Sequence, residues 1–391
     1  MSGPLFLAWR YVLHHRLQTV LLVASVTLTL GLPLAVQVLM QRYSERLMAR
    51  AQSTPLVAGA RGSRYDLVLH ALYFRGAAPP GLQAGDARKL REEELGLAIP
   101  LYARFTAQGA PLVGTSLDYF YFRGLETAEG HLPLRLGDCV VGAAAARRLG
   151  AQPGGALLTD PENVLDLAGA YPLKLRVTGV LAPSGSPDDD AVFADLRTVW
   201  IAQGLGHGHT DVVKRAEPGT ILKREDGNVV ANAALTAYTE ITDANIASFH
   251  FHGDEDTFPL GAVLVVPPDA KAAALLRGRY ERHERVQLRV PAVEIEGLLG
   301  LVFKAKRFFD ANFALVALAT AGFLALTVWL SLRLRARERE TLFRLGCRRG
   351  TVALAMAAEL GIVFVLSLLL AAAAAGLTVA FEAPLSRWLL S

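Results

Sequence analysis

Four of the nine histidines fall in two H-x-H pairs, the clearest chemical signal in the chain. His207 and His209 lie in Gly206-His207-Gly208-His209-Thr210-Asp211. His250 and His252 lie in Phe249-His250-Phe251-His252-Gly253-Asp254. On an extended strand alternate side chains share a face, so each pair presents two imidazoles to one side. Imidazole nitrogen binds zinc at about 2.0–2.1 Å and also suits copper, iron and nickel. Asp211 and Asp254 follow closely and could complete a site or orient a ring. The plain alternative is two unrelated loop pairs, hydrogen-bonded or solvated. His70, His131 and His283 stand alone and read as structural.

Other chemistry is sparse. Asp188, Asp189 and Asp190 follow Ser186-Pro187 in a turn-rich stretch and read as a solvated acidic loop rather than a calcium site. No Ser-His-Asp or Cys-His arrangement can be assigned, and no H-E-x-x-H occurs. That disfavours a metalloenzyme. No G-x-x-x-x-G-K-[ST] occurs, so the chain cannot bind ATP through a P-loop. The two cysteines are Cys139, in an apolar run that reads as core, and Cys347, in a charged loop.

Three apolar stretches, 18–40, 311–332 and 360–381, frame these residues. The last two are free of charge over 22 residues each, enough to cross a hydrocarbon core of about 30 Å. The pattern is that of a membrane protein: an α-helical transmembrane part of three spans, with a large domain outside. Segments 1–17 and 18–40 form an amphipathic N-terminus and the first span. Residues 41–310 form the outer domain and 311–332 the second span. Then come a loop at 333–349, the third span within 350–381 and a tail, 382–391. The apolar core 17–39 exceeds the 7–15 residues of a signal-peptide h-region, which favours a span. Pro33 should kink it near Thr29.

Loop 333–349 holds seven arginines against Glu338 and Glu340, a net of +5. Short basic loops stay in the cytoplasm. The N-terminus, with Arg10 and Arg16, should therefore share that side, and 41–310 should lie opposite. Of 40 basic and 36 acidic residues, ten basic and four acidic ones lie near the membrane, leaving the outer domain near −2. Nucleic acid is excluded as a partner, because no basic surface remains.

Within the outer domain, 41–62 should continue the first helix as an amphipathic segment carrying Arg42, Glu45, Arg46 and Arg50, and break at Gly59–Gly62. Tyr65–His70, Ile99–Phe105, Asp118–Phe122, Cys139–Gly142, Leu173–Val180, Val192-Phe193, Ile221-Leu222, Leu235–Tyr238 and Ala262–Val266 read as strands. Residues 86–97, 143–149 and 269–277 read as helices, and 294–310 leads into the second span. The mixture, without a βαβ rhythm, indicates an α+β domain of up to two lobes. Gly322, Gly361 and Gly376, among many alanines, should allow close helix packing. Glu359 reads either as an ionisable group inside the bundle or as one snorkelling to the interface.

Several segments resemble ABC-transporter permeases of the MacB/FtsX/LolC class. They are LAWRYVLHHRLQTVLLVASVTLTLG (7–31), LGDCVVGAAAARRLGAQPGGAL (136–157), LKLRVTGVLAPSGSPDDDAVFADLRTVW (173–200) and ARERETLFRLGCRR (336–349). The resemblance implies a bacterial inner-membrane permease, homodimeric, with a MacB-like periplasmic domain. ATP would be hydrolysed by a separate ATPase subunit. Arg339, Glu340, Leu342, Phe343, Arg344 and Leu345 would dock on that subunit, the plain alternative being a positive-inside anchor. ATP-driven helix movement would pass to the periplasmic domain, a mode called mechanotransmission. Its partner there would be a substrate-carrying or metal-binding protein. The chain needs no cofactor of its own; the histidine pairs admit zinc. Such permeases usually have four spans, whereas this chain ends at Ser391 after the third, which would put the C-terminus in the periplasm. A membrane sensor or scaffold with a ligand-binding outer domain is the rival reading.

Overall fold

The computed structural model describes residues 3–161, 172–208, 221–225, 228–231, 239–334 and 336–380. The chain divides into an outer unit, Met48–Leu298, and a second unit, Met1–Leu47 with Leu299–Ser391.

The outer unit is organised from Leu56–Ala60, a strand whose five residues are all buried. A strand covered on both faces shows no polar–apolar alternation, so it reads in sequence as a bare apolar run. It pairs antiparallel with Ala262–Val266 and with Val286–Arg289. The helix expected over 41–62 therefore stops at Gln52. Pro55 pushes the residue before it out of the helical region, and 56–60 goes to the sheet. A Cβ at Gly59 would come within 2.2 Å of Leu67, so glycine there lets the next helix lie flat on the strand.

That helix, Arg64–Tyr73, corrects the strand expected at Tyr65–His70. The Ser63 hydroxyl accepts from the Asp66 N–H at 3.2 Å, capping the first turn. Leu67, Val68, Ala71 and Leu72 form one buried stripe. Asp118–Phe122, also expected as a strand, lies in helix Leu117–Arg123, which ends at Gly124 with φ 62°. Its aromatic β-preference is overridden by packing, with Tyr119 and Phe120 buried.

Among the described residues the main sheet has eleven strands. Its path runs Thr239–Glu240, Leu173–Leu181, Asp138–Val141, Val192–Asp195, Ala110–Thr115, Leu97–Ala107, Ala262–Val266, Leu56–Ala60, Val286–Arg289. Thr127–Gly130 and Ala156–Leu158 pair with Leu173–Leu181 off this path. Parallel and antiparallel pairs mix, in keeping with an α+β outer domain, here one unit rather than two lobes. Helix Ala143–Leu149 stops at Gly150 (φ 64°) as expected. Helices Ala84–Glu92 and Ala270–Tyr280 stand near the expected positions. Ile221–Glu225 pairs with Asn228–Ala231; Leu235–Tyr238 lies outside the described residues.

In the second unit, helix Gly3–His14 precedes the long helix Arg16–Gln52. Among the described residues, three helices are long and apolar enough to cross a membrane: Arg16–Gln52, Pro291–Leu330 and Arg349–Thr378. The first runs through Pro33 without interruption. Close packing is made by residues other than those expected. Gly31 would meet Ala371 at 3.5 Å if it bore a Cβ, whereas Gly322, Gly361 and Gly376 face open space within the chain. Ser367, fully buried, donates to the Val363 carbonyl at 2.8 Å.

Two stability predictions follow from the outer unit. A Cβ at Gly130 (φ 72°) would lie 2.1 Å from the Thr178 carbonyl oxygen, while one at Gly150 meets nothing. Gly130→Ala should cost roughly 3 kcal/mol or more, and Gly150→Ala only about 1 kcal/mol, read from denaturation midpoints in detergent. His70 is 3% exposed, its Nδ1 2.9 Å from the Gly76 carbonyl oxygen. Burial holds its imidazole below the usual range, so the folded state keeps it neutral while the unfolded chain protonates near pH 6.5. This stability is complete above about pH 6.5 and is lost as pH falls toward the lower folded value. His70→Gln should flatten that part of the stability–pH curve.

Candidate functional site

The last turn of helix Arg16–Gln52 belongs to the outer unit and carries Arg50 into its interior. Arg50 and Asp188 side chains are 9% and 1% exposed. The guanidinium grips the carboxylate with two bonds, Nη1–Oδ2 at 2.7 Å and Nη2–Oδ1 at 2.8 Å. Tyr119 Oη accepts from Arg50 at 2.8 Å and donates to Asp188 Oδ1 at 2.6 Å. Ser186 Oγ donates to Asp188 Oδ2 at 2.8 Å, and Arg50 Nε donates to the Leu72 carbonyl at 3.3 Å. Burial pushes the Tyr119 phenol up, and the Asp188 charge adds to this. Arg123 lies beside the cluster, donating to Thr54 Oγ1 at 2.9 Å. Burial first, then Arg50, lowers its pKa.

The solvated acidic loop expected at 188–190 is thus corrected for Asp188, which is the buried anion of this network. Asp189 closes its own loop, accepting from Ser184 N–H and Gly185 N–H at 2.8 Å each. Sequence reasoning treated Arg50 only as one charge of an amphipathic segment. Its signal was that Leu47, Arg50 and Ala51 share a helix face, and Leu47 and Ala51 are buried. Cys139 is core, as expected, with burial pushing its thiol pKa up.

The histidines come together on a two-stranded ribbon. Gly206–Gly208 pairs antiparallel with Phe249–Phe251, placing Gly206 opposite Phe251, His207 opposite His250 and Gly208 opposite Phe249. The glycines are required: a Cβ at Gly206 or Gly208 would lie 2.8 or 2.5 Å from those phenylalanine rings. Phe251 packs on Trp200 and Phe258, so the alternation turns His207 and His250 to the other face. His252, two residues on, joins them. The ring centroids of His207–His250, His207–His252 and His250–His252 are 5.0, 4.8 and 4.7 Å apart. Asp254 is not in this group; its carboxylate caps a short turn, accepting from the Asp256 N–H at 3.1 Å. His209 and Asp211 lie outside the described residues.

Between helices Pro291–Leu334 and Arg349–Ala380, residues Ala336–Arg344 form a helix. Arg344 bonds Glu340 at 2.6 Å one turn back. The chain then turns at Gly346 (φ 90°). Phe343 and Leu345 are 41% and 76% exposed. The side chains of Arg339 and Leu342 are outside the described residues. Glu359 lines a groove of ≈ 730 Å³ with Tyr11, His14, Arg16 and Cys347.

A family model for the MacB-like periplasmic core domain matches residues 19–237, more than half of the chain. Among solved structures, the periplasmic region of MacB from Actinobacillus actinomycetemcomitans is similar at 12% identity and TM-score 0.36, covering 64% of this chain and 97% of that one. The extracellular domain of the ABC-type transporter YknZ from Gram-positive bacteria matches at 12% identity and TM-score 0.33, covering 60% and 98%. No curated protein matches the chain.

Replacing Asp188 by Ala should cost about 3–5 kcal/mol, because it strands the buried Arg50 cation. Asp243 makes an exposed pair with Arg135 at 2.9 Å, and Asp243→Ala should cost under about 1 kcal/mol. Paired chemical-denaturation curves of the two variants measure the difference.

Proposed function

Since this chain belongs to the family of ABC-type transporter permeases built on the MacB-like periplasmic core domain, we propose that it couples a separate ATPase to its outer domain. Two copies would pair with two ATPase subunits in a bacterial inner membrane, with the N-terminus and loop 333–349 in the cytoplasm. The observation that carries this reading is the unbroken helix from Arg16 to Gln52. A helix is stiff along its axis, and the bidentate Arg50–Asp188 bond is well suited to carry its displacement into the sheet. Asp188 lies one residue from Asp189, whose backbone a Cβ at Gly142 would strike at 2.6 Å. The joint therefore abuts the Asp138–Val141 strand and the helix that follows it.

Helix Ala336–Arg344 and the turn after it offer an exposed Phe343 and Leu345 beside arginines. An anchoring loop needs only the arginines. Exposed apolar residues beside charge fit a protein partner, where aromatic residues are frequent anchors. The composition of the spans, with few polar groups, favours transmission of movement over an ion path.

Purification of the full chain from its native membrane should recover a P-loop ATPase in equal number. Phe343→Asp should lower its recovery or its permease-dependent ATP turnover by about tenfold or more, as expected for loss of an apolar anchor. Recovery of the chain without an ATPase would overturn this reading.

A further inference from the structure

We infer that His207, His250 and His252 form a binding site for one divalent first-row transition-metal ion, with zinc as the best-matched ion. Their candidate ligand atoms all lie within 4.8 Å of one another. Three nitrogens around a tetrahedral zinc, each at about 2.0–2.1 Å, stand roughly 3.4 Å apart. The remaining closure is within reach of side-chain rotation, since His207 and His252 are exposed and His250 half-buried.

The ribbon is built to hold these rings together. The cross-strand register sets His207 against His250, and the period of two adds His252. On the opposite face Phe251 is held by Trp200 at 6.4 Å, Phe258 at 5.8 Å and the Arg197 guanidinium at 5.8 Å. The ribbon therefore cannot turn its histidine face inward without exposing that cluster. His250 Nδ1 lies 3.1 Å from the Ser248 carbonyl oxygen. A carbonyl only accepts, so Nδ1 carries the proton there and Nε2 is the nitrogen that would ligate a metal. Such a second bond orients ligating imidazoles in metal sites.

Three neutral nitrogen donors select against calcium and magnesium, which take oxygen ligands. Three protein ligands leave a fourth position for water or for a group on another molecule. The site faces solvent, which suits an ion that is exchanged rather than sealed in. This inference does not depend on the permease reading, because it needs neither the spans nor an ATPase.

The test uses the full chain in detergent, free of any histidine tag and stripped with chelator, titrated with zinc and separately with cobalt(II). The wild type should bind about one zinc per chain and show the intense visible absorption of tetrahedral cobalt. His207→Gln, His250→Gln and His252→Gln should each weaken zinc by about tenfold or more, and the triple variant should lose the cobalt spectrum. His131→Gln, on the same unit, should change nothing. Circular dichroism of each variant verifies that loss of binding is not loss of fold. Absence of zinc binding at about 100 µM by the wild type would overturn the inference. So would undiminished binding by the folded triple variant, which would place the ion on other residues.

Discussion

The outer unit depends on a charged pair placed where charge is expensive. Arg50 and Asp188 are both nearly excluded from solvent, and each would be costly to leave alone. Tyr119 and Ser186 supply the remaining hydrogen bonds, so the network is satisfied only when four segments of chain meet. These are the end of a long helix, the Leu72 carbonyl in helix Arg64–Tyr73, the helix Leu117–Arg123 and the Ser186–Asp188 turn. A buried pair of this kind adds little net stability over apolar packing. The bidentate geometry holds the last turn of the helix in one orientation against Asp188.

Much of the fold was legible where sequence and environment agree. Leu173–Val180 alternates because one face is buried and the other is not, and Ala143–Leu149 ends at a glycine that adopts φ 64°. The failures have physical causes. Leu56–Ala60 is covered on both faces, so no period marks it as a strand. Tyr65–His70 and Asp118–Phe122 carry β-favouring side chains over lengths too short for periodicity to decide, and Ser63 and Gly124 set the outcome. Register across the sheet was not readable, because partners such as Val192–Asp195 and Ala110–Thr115 are far apart in the chain.

The candidate sites divide in the same way. H-x-H spacing identified His207, His250 and His252 because side-chain period is a local property. That Gly206 and Gly208 exist to admit Phe251 and Phe249 emerges only from cross-strand pairing. Asp254 was a reasonable ligand by proximity, but its local turn claims the carboxylate. Arg50 was hidden among membrane-flanking charges, and Asp188 among three aspartates of which only it is fully buried.

We propose that the state of a partner ATPase reaches the outer unit through helix Arg16–Gln52, whose last turn carries Arg50. The most direct test is a spin-label distance between two copies of the assembled complex. The label would be carried by Tyr121→Cys, a position 76% exposed, with Cys347 replaced by Ser. ATP under non-hydrolysing conditions should shift the distance distribution, and Arg50→Met should abolish the shift while the complex stays assembled. An identical distribution with and without nucleotide, or a full shift in Arg50→Met, would contradict the account.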